Sequence, residues 1–348
     1  MSVAFSRPAV LILGAGATRG SLEEGTIPPP PVDNDFFDIA GQLDGHGTKR
    51  LAHDVLRSVW ELYGKISGVS LEQYYRDVET REVIGKFAKS GNKPKDWRRR
   101  RDQLEELIRR VYIHTTCHMG TPPIRPKESQ IHKAILKKLK SSDTVITFNY
   151  DLLIEESFDT GELWNPVDGY GVSVAGRTHN WCRVWVKNRS LTKFRPSEIL
   201  LLKLHGSLNW TLYGNKKIRL KHFPYSVRTK DKKALFDKIS VLPPGWNKRI
   251  DRVPYKDFWR EARRRLESCN TLAIVGYSLP ETDLLAQALI AEVVRKRRVN
   301  RNFLAQLHIA DPSAVVKQKF IELFTPALGP LGTIFKYDGI QEFKEALG

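Results

Sequence analysis

Six short apolar runs govern what this chain can become. They are AVLIL before Gly14, TVITF before Asn149, ILLLKL before His205, TLAIV before Gly276, LHIA before Asp311 and TIFKY before Asp338. Each is β-rich, lacks alternation, and stops at a glycine or a polar residue. A strand that is apolar on both faces belongs in a parallel sheet covered on two sides. Between several of the runs, apolar residues recur at helical spacing: Ile131, Ile135 and Leu139, then Phe258, Ala262 and Leu266, then Leu284 to Val293, and last Val316 to Phe324. Strands alternating with amphipathic helices read as βαβ units. The expected fold is α/β, a doubly wound, mostly parallel sheet with a helical insertion.

In such sheets ligands gather at the carboxyl ends of the strands. The distinctive polar groups of this chain fall there: Gly14 and Gly16, Asn149 and Asp151, His205, Gly276 and Ser278, and Asp311. The coincidence predicts one site. The core is expected in two pieces, 1–47 and 129–348, around a helical insertion at 48–128 that carries leucine, tryptophan and arginine at helical spacing. Within the core, 213–254 reads as a basic loop or small β excursion, and the stretch from Gly161 to Ser197, with Trp164, Trp181 and Trp185, as a short hairpin.

With 348 residues, 41% apolar and 28% charged, the composition is that of a soluble globular protein with room for a full α/β core. The N-terminal apolar run, Ala9 to Leu13, is too short for a signal segment and nothing approaches a membrane span, so the expected location is the cytoplasm. Cys117, Cys182 and Cys269 are scattered and form no CxxC pair, which excludes a four-cysteine zinc site. His114, Cys117 and His118 lie close together, but no second ligand pair follows, and no metal is expected. The formal charge of +18 suits a polyanion, nucleic acid among them. The arginine run of DWRRRRDQLEELIRR nevertheless sits on a helical pattern as a solvated face, and no nucleic-acid module is readable.

Glycines after a buried strand let backbone N–H groups approach a pyrophosphate. Here the spacing is G-x-G-x-x-x-G, one residue longer than the dehydrogenase fingerprint. Where a helix and second strand should follow, four prolines stand, Pro28 to Pro31. Asp33 and Asp35 lie near the distance of the ribose-binding acid but follow prolines, which argues against hydride transfer. A purely structural strand-to-helix turn is the alternative reading of the glycines. In TFNYDLL, Asn149 ends a strand and offers a donor and an acceptor to a water or a ribose hydroxyl. Asp151 suits a helix cap as well as a chemical role. His205, at the mouth of another strand, is a candidate general base. In LAIVGYSLPETD, Gly276 and Ser278 present donors to a phosphate or ribose, and Asp283 caps the next helix or meets the second ribose. Asp311 suits a ribose or adenine contact.

The ordered series GAGATRG, NYD, KLHGS and GYSLP resembles the sirtuin-like family, from Gly14 to Pro280 with a core reaching about Asp311. The resemblance implies a Rossmann-like NAD site. It places Gly14, Ala15, Gly16, Ala17, Thr18, Asp151, Gly276, Ser278, Asp283 and Asp311 around the nucleotide, with Asn149 positioning water or ribose and His205 as base. It also implies that GTIPPPPVDNDFF, including Asp35 and Phe36, is a proline-stiffened cover over the nicotinamide end. The zinc module of protein-deacylating sirtuins is missing, and Thr18 departs from the usual serine. The pattern is closer to the zinc-free bacterial anti-phage branch. That closeness implies an NAD glycohydrolase that depletes NAD in abortive infection, releasing nicotinamide and ADP-ribose. An NAD-dependent protein deacylase and a non-catalytic nucleotide-binding subunit are the alternatives. By analogy the enzyme is gated by homo-oligomer contacts or by a separate defence protein, a HerA-type ATPase or a short Argonaute, with the insertion and its arginine run as assembly surface.

Overall fold

The computed structural model describes residues 3–22, 28–85, 94–118, 125–158, 163–166, 168–172, 196–213, 217–220, 239–241 and 254–348. Strand β1 (Ala9–Leu13) leads into α1 (Ala15–Ser21), a 3-10 turn at Asp33–Asp35 and α2 (Phe36–Gly41). Three longer helices follow, α3 (His46–Tyr63), α4 (Leu71–Gly85) and α5 (Pro94–Thr116), then a two-strand pair, β2 (Cys117–His118) and β3 (Arg125–Pro126). Next come α6 (Gln130–Leu136), β4 (Thr144–Thr147), α7 (Leu153–Ser157), β5 (Leu200–Lys203), β6 (Gly206–Tyr213), β7 (Lys217–Leu220) and β8 (Ile239–Val241). The chain continues through α8 (Tyr255–Ser268), β9 (Thr271–Val275), α9 (Leu284–Asn300), β10 (Leu304–Ala310), α10 (Ala314–Phe324), β11 (Leu328–Tyr337) and α11 (Ile340–Leu347).

Six strands form one parallel sheet in the order β11-β10-β9-β1-β4-β5. All residues of β1, β4 and β9 are buried, as unbroken apolar runs require when helices cover both faces. The fold is therefore α/β and doubly wound. After β1 the chain moves outward to β4 and β5, then returns to the other side of β1 with β9. The order reverses between β1 and β9, and at such a point two adjacent loops part to leave a crevice. Register aligns the strand ends: Leu13 lies opposite both Thr147 and Val275, Thr147 opposite Lys203, and Val275 opposite Ala310.

All six predicted strands are present, but β10 and β11 start earlier than the apolar runs suggest. The added half of β11, LGPLG, holds Gly329, Pro330 and Gly332, and Leu331 is 95% exposed. Proline is tolerated there because β11 is an edge strand, where a missing N–H breaks no ladder. The prolines at 28–31 do not displace the first helix, as the sequence suggested. Two turns of α1 precede them, because glycine at 16 and 20 weakens a helix without forbidding it. Gly20 is also where α11 comes close: a Cβ there would lie 3.1 Å from the Ile340 side chain.

Helices α3, α4 and α5 fill most of 48–128, and their apolar residues, Val55, Tyr74, Leu104 and Ile108 among them, join the core that holds the sheet. The arginine run of α5 is less a solvated face than a set of clamps. Arg100 meets Glu61 of α3 at 2.8 Å and lies over the Trp97 ring, while Arg98 and Arg101 share Glu82 of α4 at 3.2 and 2.5 Å. In the stretch read as a basic loop or β excursion, β6 pairs antiparallel with β7 and β8. Most of 213–254, and Cys182, Trp181 and Trp185 of the suggested hairpin, lie outside the described residues. No helix among the described residues is long and apolar enough to cross a membrane.

Candidate active site

The site begins where β1 and β9 part. Gly14 N–H donates to the Val275 carbonyl at 3.0 Å, and Gly16 N–H to the Gly276 carbonyl at 2.9 Å. A Cβ on Gly14 would lie 2.3 Å from the Gly276 oxygen, and one on Gly276 would lie 2.1 Å from the Ala17 nitrogen. The glycines thus let two turns pack backbone on backbone, a demand the sequence reading assigned to phosphate approach. Their N–H groups are committed to the neighbouring turn. Ala17 and Thr18 donate their N–H groups to the Gly14 carbonyl as α1 starts.

Asn149 leaves the end of β4 directly beneath this turn. Its Nδ2 donates to the Gly14 carbonyl at 2.8 Å and to Thr18 Oγ1 at 2.9 Å. Thr18 in turn donates to Asp151 Oδ2 at 2.9 Å. The amide donors are therefore held by the protein, which corrects the expectation that both ends of the carboxamide face a ligand. With both hydrogens of Nδ2 engaged, what Asn149 can offer a ligand is its Oδ1 acceptor. Asp151 stands one residue before the N-cap of α7, which is Leu152 and not Asp151 as the sequence suggested; its Oδ1 accepts from the first helical N–H, Leu153, at 3.0 Å.

His205 follows β5 and is 4% exposed. Its Nε2 lies 3.2 Å from Asp283 Oδ2 across the crevice. Asp283 Oδ1 also caps α9 through Ala286 N–H at 3.4 Å, and Tyr277 O–H donates to its Oδ2 at 3.4 Å. Asp283 had been expected to cap a helix or meet a ribose; its place against the imidazole was not legible from spacing. A carboxylate on one ring nitrogen fixes the ring's orientation. Around the imidazole stand Phe148, edge-on at 5.0 Å, and Tyr150, stacked at 6.2 Å, while Phe148 and Tyr277 stack at 4.3 Å.

Burial first, and then neighbouring carboxylates (for Tyr150, the Tyr112 phenol ahead of them), push the hydroxyls of Tyr112, Tyr150 and Tyr277 well above the usual phenol range. They stay protonated and able to donate.

The described part of the proline segment, expected to form a cover, is anchored. Arg19 of α1 donates to the Pro30 carbonyl at 2.7 Å and pairs with Asp35 at 2.5 Å, while Asp35 Oδ1 accepts from Val32 N–H. Asp33 accepts from Ser70 Oγ at 2.5 Å and from Glu72 N–H at 3.0 Å, which ties the segment to the start of α4. Glu72 also receives the Thr282 hydroxyl, one residue before Asp283. Phe36 is fully buried, edge-on to Phe37 at 5.2 Å. Residues 23–27 lie outside the described chain.

Ser278 stands exposed at the lip, with Lys319 donating to its carbonyl at 3.3 Å. Asp311 follows β10, two strands away from β1, and accepts from Ser313 N–H at 2.9 Å; burial raises its carboxyl above the usual range. Sequence reasoning missed Arg19, Glu72, Thr147, Lys203 and Glu155. Only Lys203 carried a signal, a charge within an apolar strand. Cys117 and Cys269 are buried free thiols, pushed up to about 12 and about 11 chiefly by burial. Among the described residues no group of three or more His, Cys, Asp and Glu is arranged to hold a metal ion.

A doubly wound α/β sheet with glycine turns at its switch point and polar side chains at its carboxyl edge is a nucleotide-binding class of fold. The sequence model of the SIR2-like domain matches residues 143–321, just over half of the chain. The chain belongs to the SIR2-like family. No curated protein sequence matches it. Three solved structures align with it at 14% identity each. One concerns the mechanism and regulation of Sir2 enzymes, with 97% of this chain and 91% of that one covered and a TM-score of 0.40. A mutant Sir2 with a p53 peptide and NAD gives 98%, 92% and 0.36, and a Sir2 homologue in complex with NAD gives 97%, 87% and 0.40.

Proposed function

We propose that the protein is an NAD glycohydrolase whose site is the carboxyl edge of the sheet between β1 and β9. The observation that carries this reading is the pairing of two strand ends: Asn149 presents an amide oxygen, and His205 stands backed by Asp283. The C1′–N bond to nicotinamide breaks with its electron pair leaving on the neutral base, and the ribose passes through an oxocarbenium-like state. A water adds at C1′. The Asn149 oxygen accepts from that water or from a ribose hydroxyl and sets the line of approach. His205 takes the proton the water loses, giving ADP-ribose and nicotinamide. Asp283 stabilises the imidazolium that forms. Gly14, Ala15, Gly16, Ala17, Thr18 and Gly276 shape the floor, and Asp35 holds the cover through Arg19. Ser278 and Asp311 are assigned to the adenosine half.

Within the cell the reading extends to a cytoplasmic defence enzyme that depletes NAD and stays silent until oligomer contacts or a separate partner engage the 48–128 insertion. The link from Glu72 to Thr282 supports such coupling, since it joins the insertion to the loop that carries Asp283.

Purified protein, alone and with its genomic neighbour, is incubated with NAD, and His205→Ala and Asn149→Ala are run beside it. His205→Ala is expected to lower turnover by about 10²–10⁴-fold and to keep NAD binding measurable by calorimetry. Full activity in both variants would refute the assignment.

A further inference from the structure

Lys203 is the last residue of β5, two before His205, and lies in register with Thr147, two before Asn149. Its side chain is wholly buried, as is that of Glu155 on α7, and the two meet at 2.8 Å. The same ammonium donates to the backbone carbonyl of Asp151. Glu155 Oε1 also receives the Tyr170 hydroxyl at 3.1 Å. From Asp151 the path continues through its carboxylate to Thr18 and from Thr18 to the Nδ2 of Asn149, each step at 2.9 Å.

We propose that Lys203 and Glu155 are positioning residues, holding the turn that carries Asn149 and Asp151 in fixed relation to the strand end that carries His205. This rests on the reading of that site as the place where NAD is cleaved. The physical ground is that a buried ion pair is a poor source of stability, because desolvating two charges offsets their attraction. Ile199, Leu201, Leu202 and Leu204 around Lys203 are all fully buried, so an apolar side chain would suit that core. What an apolar chain lacks is a donor for the Asp151 carbonyl and a directional hold on α7. The pair therefore acts on geometry. A displacement of about 1 Å in a catalytic group is enough to cost on the order of 10²-fold in rate.

Lys203→Met alone strands the Glu155 charge and is expected to fold poorly. The informative protein is Lys203→Met/Glu155→Gln, which removes both charges and keeps an acceptor for Tyr170. It is expected to melt within a few degrees of the wild type and to bind NAD within about threefold. Its kcat should fall at least tenfold with KM little changed. Amides 149 and 153 should exchange with solvent at least tenfold faster. Wild-type kcat in the folded double variant would overturn the proposal, and so would a loss of NAD affinity in step with a collapse of the melting temperature. If the wild type neither binds nor cleaves NAD, the reading of the site fails, and amide exchange decides the positioning claim alone. Unchanged exchange then refutes it.

Discussion

A single methyl group added at Gly276 would collide with the backbone nitrogen of Ala17 at 2.1 Å, in a residue whose φ of +57° already disfavours a side chain. At Gly14 the collision would be with the Gly276 carbonyl at 2.3 Å. Backbone cannot rotate away as a flexible side chain can, so one turn must move. Gly14→Ala and Gly276→Ala are each expected to destabilise the fold by about 1–3 kcal/mol or more, read as a fall in melting temperature. A variant at either position that melts like the wild type would refute the close-packed turn. The sequence marked Gly14, Gly276, Asn149 and His205 because each follows an apolar run, and Asp151 because it stands two residues after Asn149. It could not show that Asn149 spends its donors on Gly14 and Thr18, nor that Asp283 reaches His205. Those relations join residues more than 70 positions apart, and only the register of the sheet creates them.

Among the elements, α1 holds residues 30–35 through Arg19, and Ser70 and Glu72 at the start of α4 hold them through Asp33. Arg19 is about a third exposed, so its pair with Asp35 contributes only about 0.2–1 kcal/mol. Arg19→Ala is therefore expected to leave the global melting temperature nearly unchanged while the amides of 32–37 exchange faster and KM for NAD rises. Unchanged exchange there would mean that Asp33, through Ser70 and Glu72, holds the segment by itself. The buried strands were legible because apolar residues on both faces leave few alternatives. The first helix was not, since Gly16, Gly20 and the following prolines obscure a pattern that tertiary contacts with α11 support. The clamps on α5 were hidden for another reason: Glu61 and Glu82 belong to other helices, and spacing within one helix says nothing of them.

At the scale of the whole molecule, two histidines link stability to pH. His132 and His308 are buried, and burial pushes each down to about 4. His308 stacks on Phe335 at 4.5 Å, with Nδ1 3.0 Å from the Tyr337 hydroxyl. The folded values are depressed from an unfolded value near 6.5, so this stabilisation is complete above about pH 6.5 and is lost as pH falls through 4. Below about pH 6.5 the unfolded chain binds protons that the folded one refuses, a loss on the order of 3 kcal/mol for His308 by pH 4. Denaturant unfolding measured from pH 7 to pH 4 should show that loss. His308→Phe should reduce its slope by up to about 1.4 kcal/mol per pH unit, and an unaltered slope would refute the assignment. The central claim, that the molecule spends NAD on water, is tested most directly by one reaction in oxygen-18 water, with and without the genomic neighbour, followed by mass spectrometry of the products. Hydrolysis would give free nicotinamide in equal amount with ADP-ribose carrying one heavy oxygen at the carbon that bore the base. No nicotinamide in any mixture, or ADP-ribose recovered only on protein or acyl groups, would contradict it.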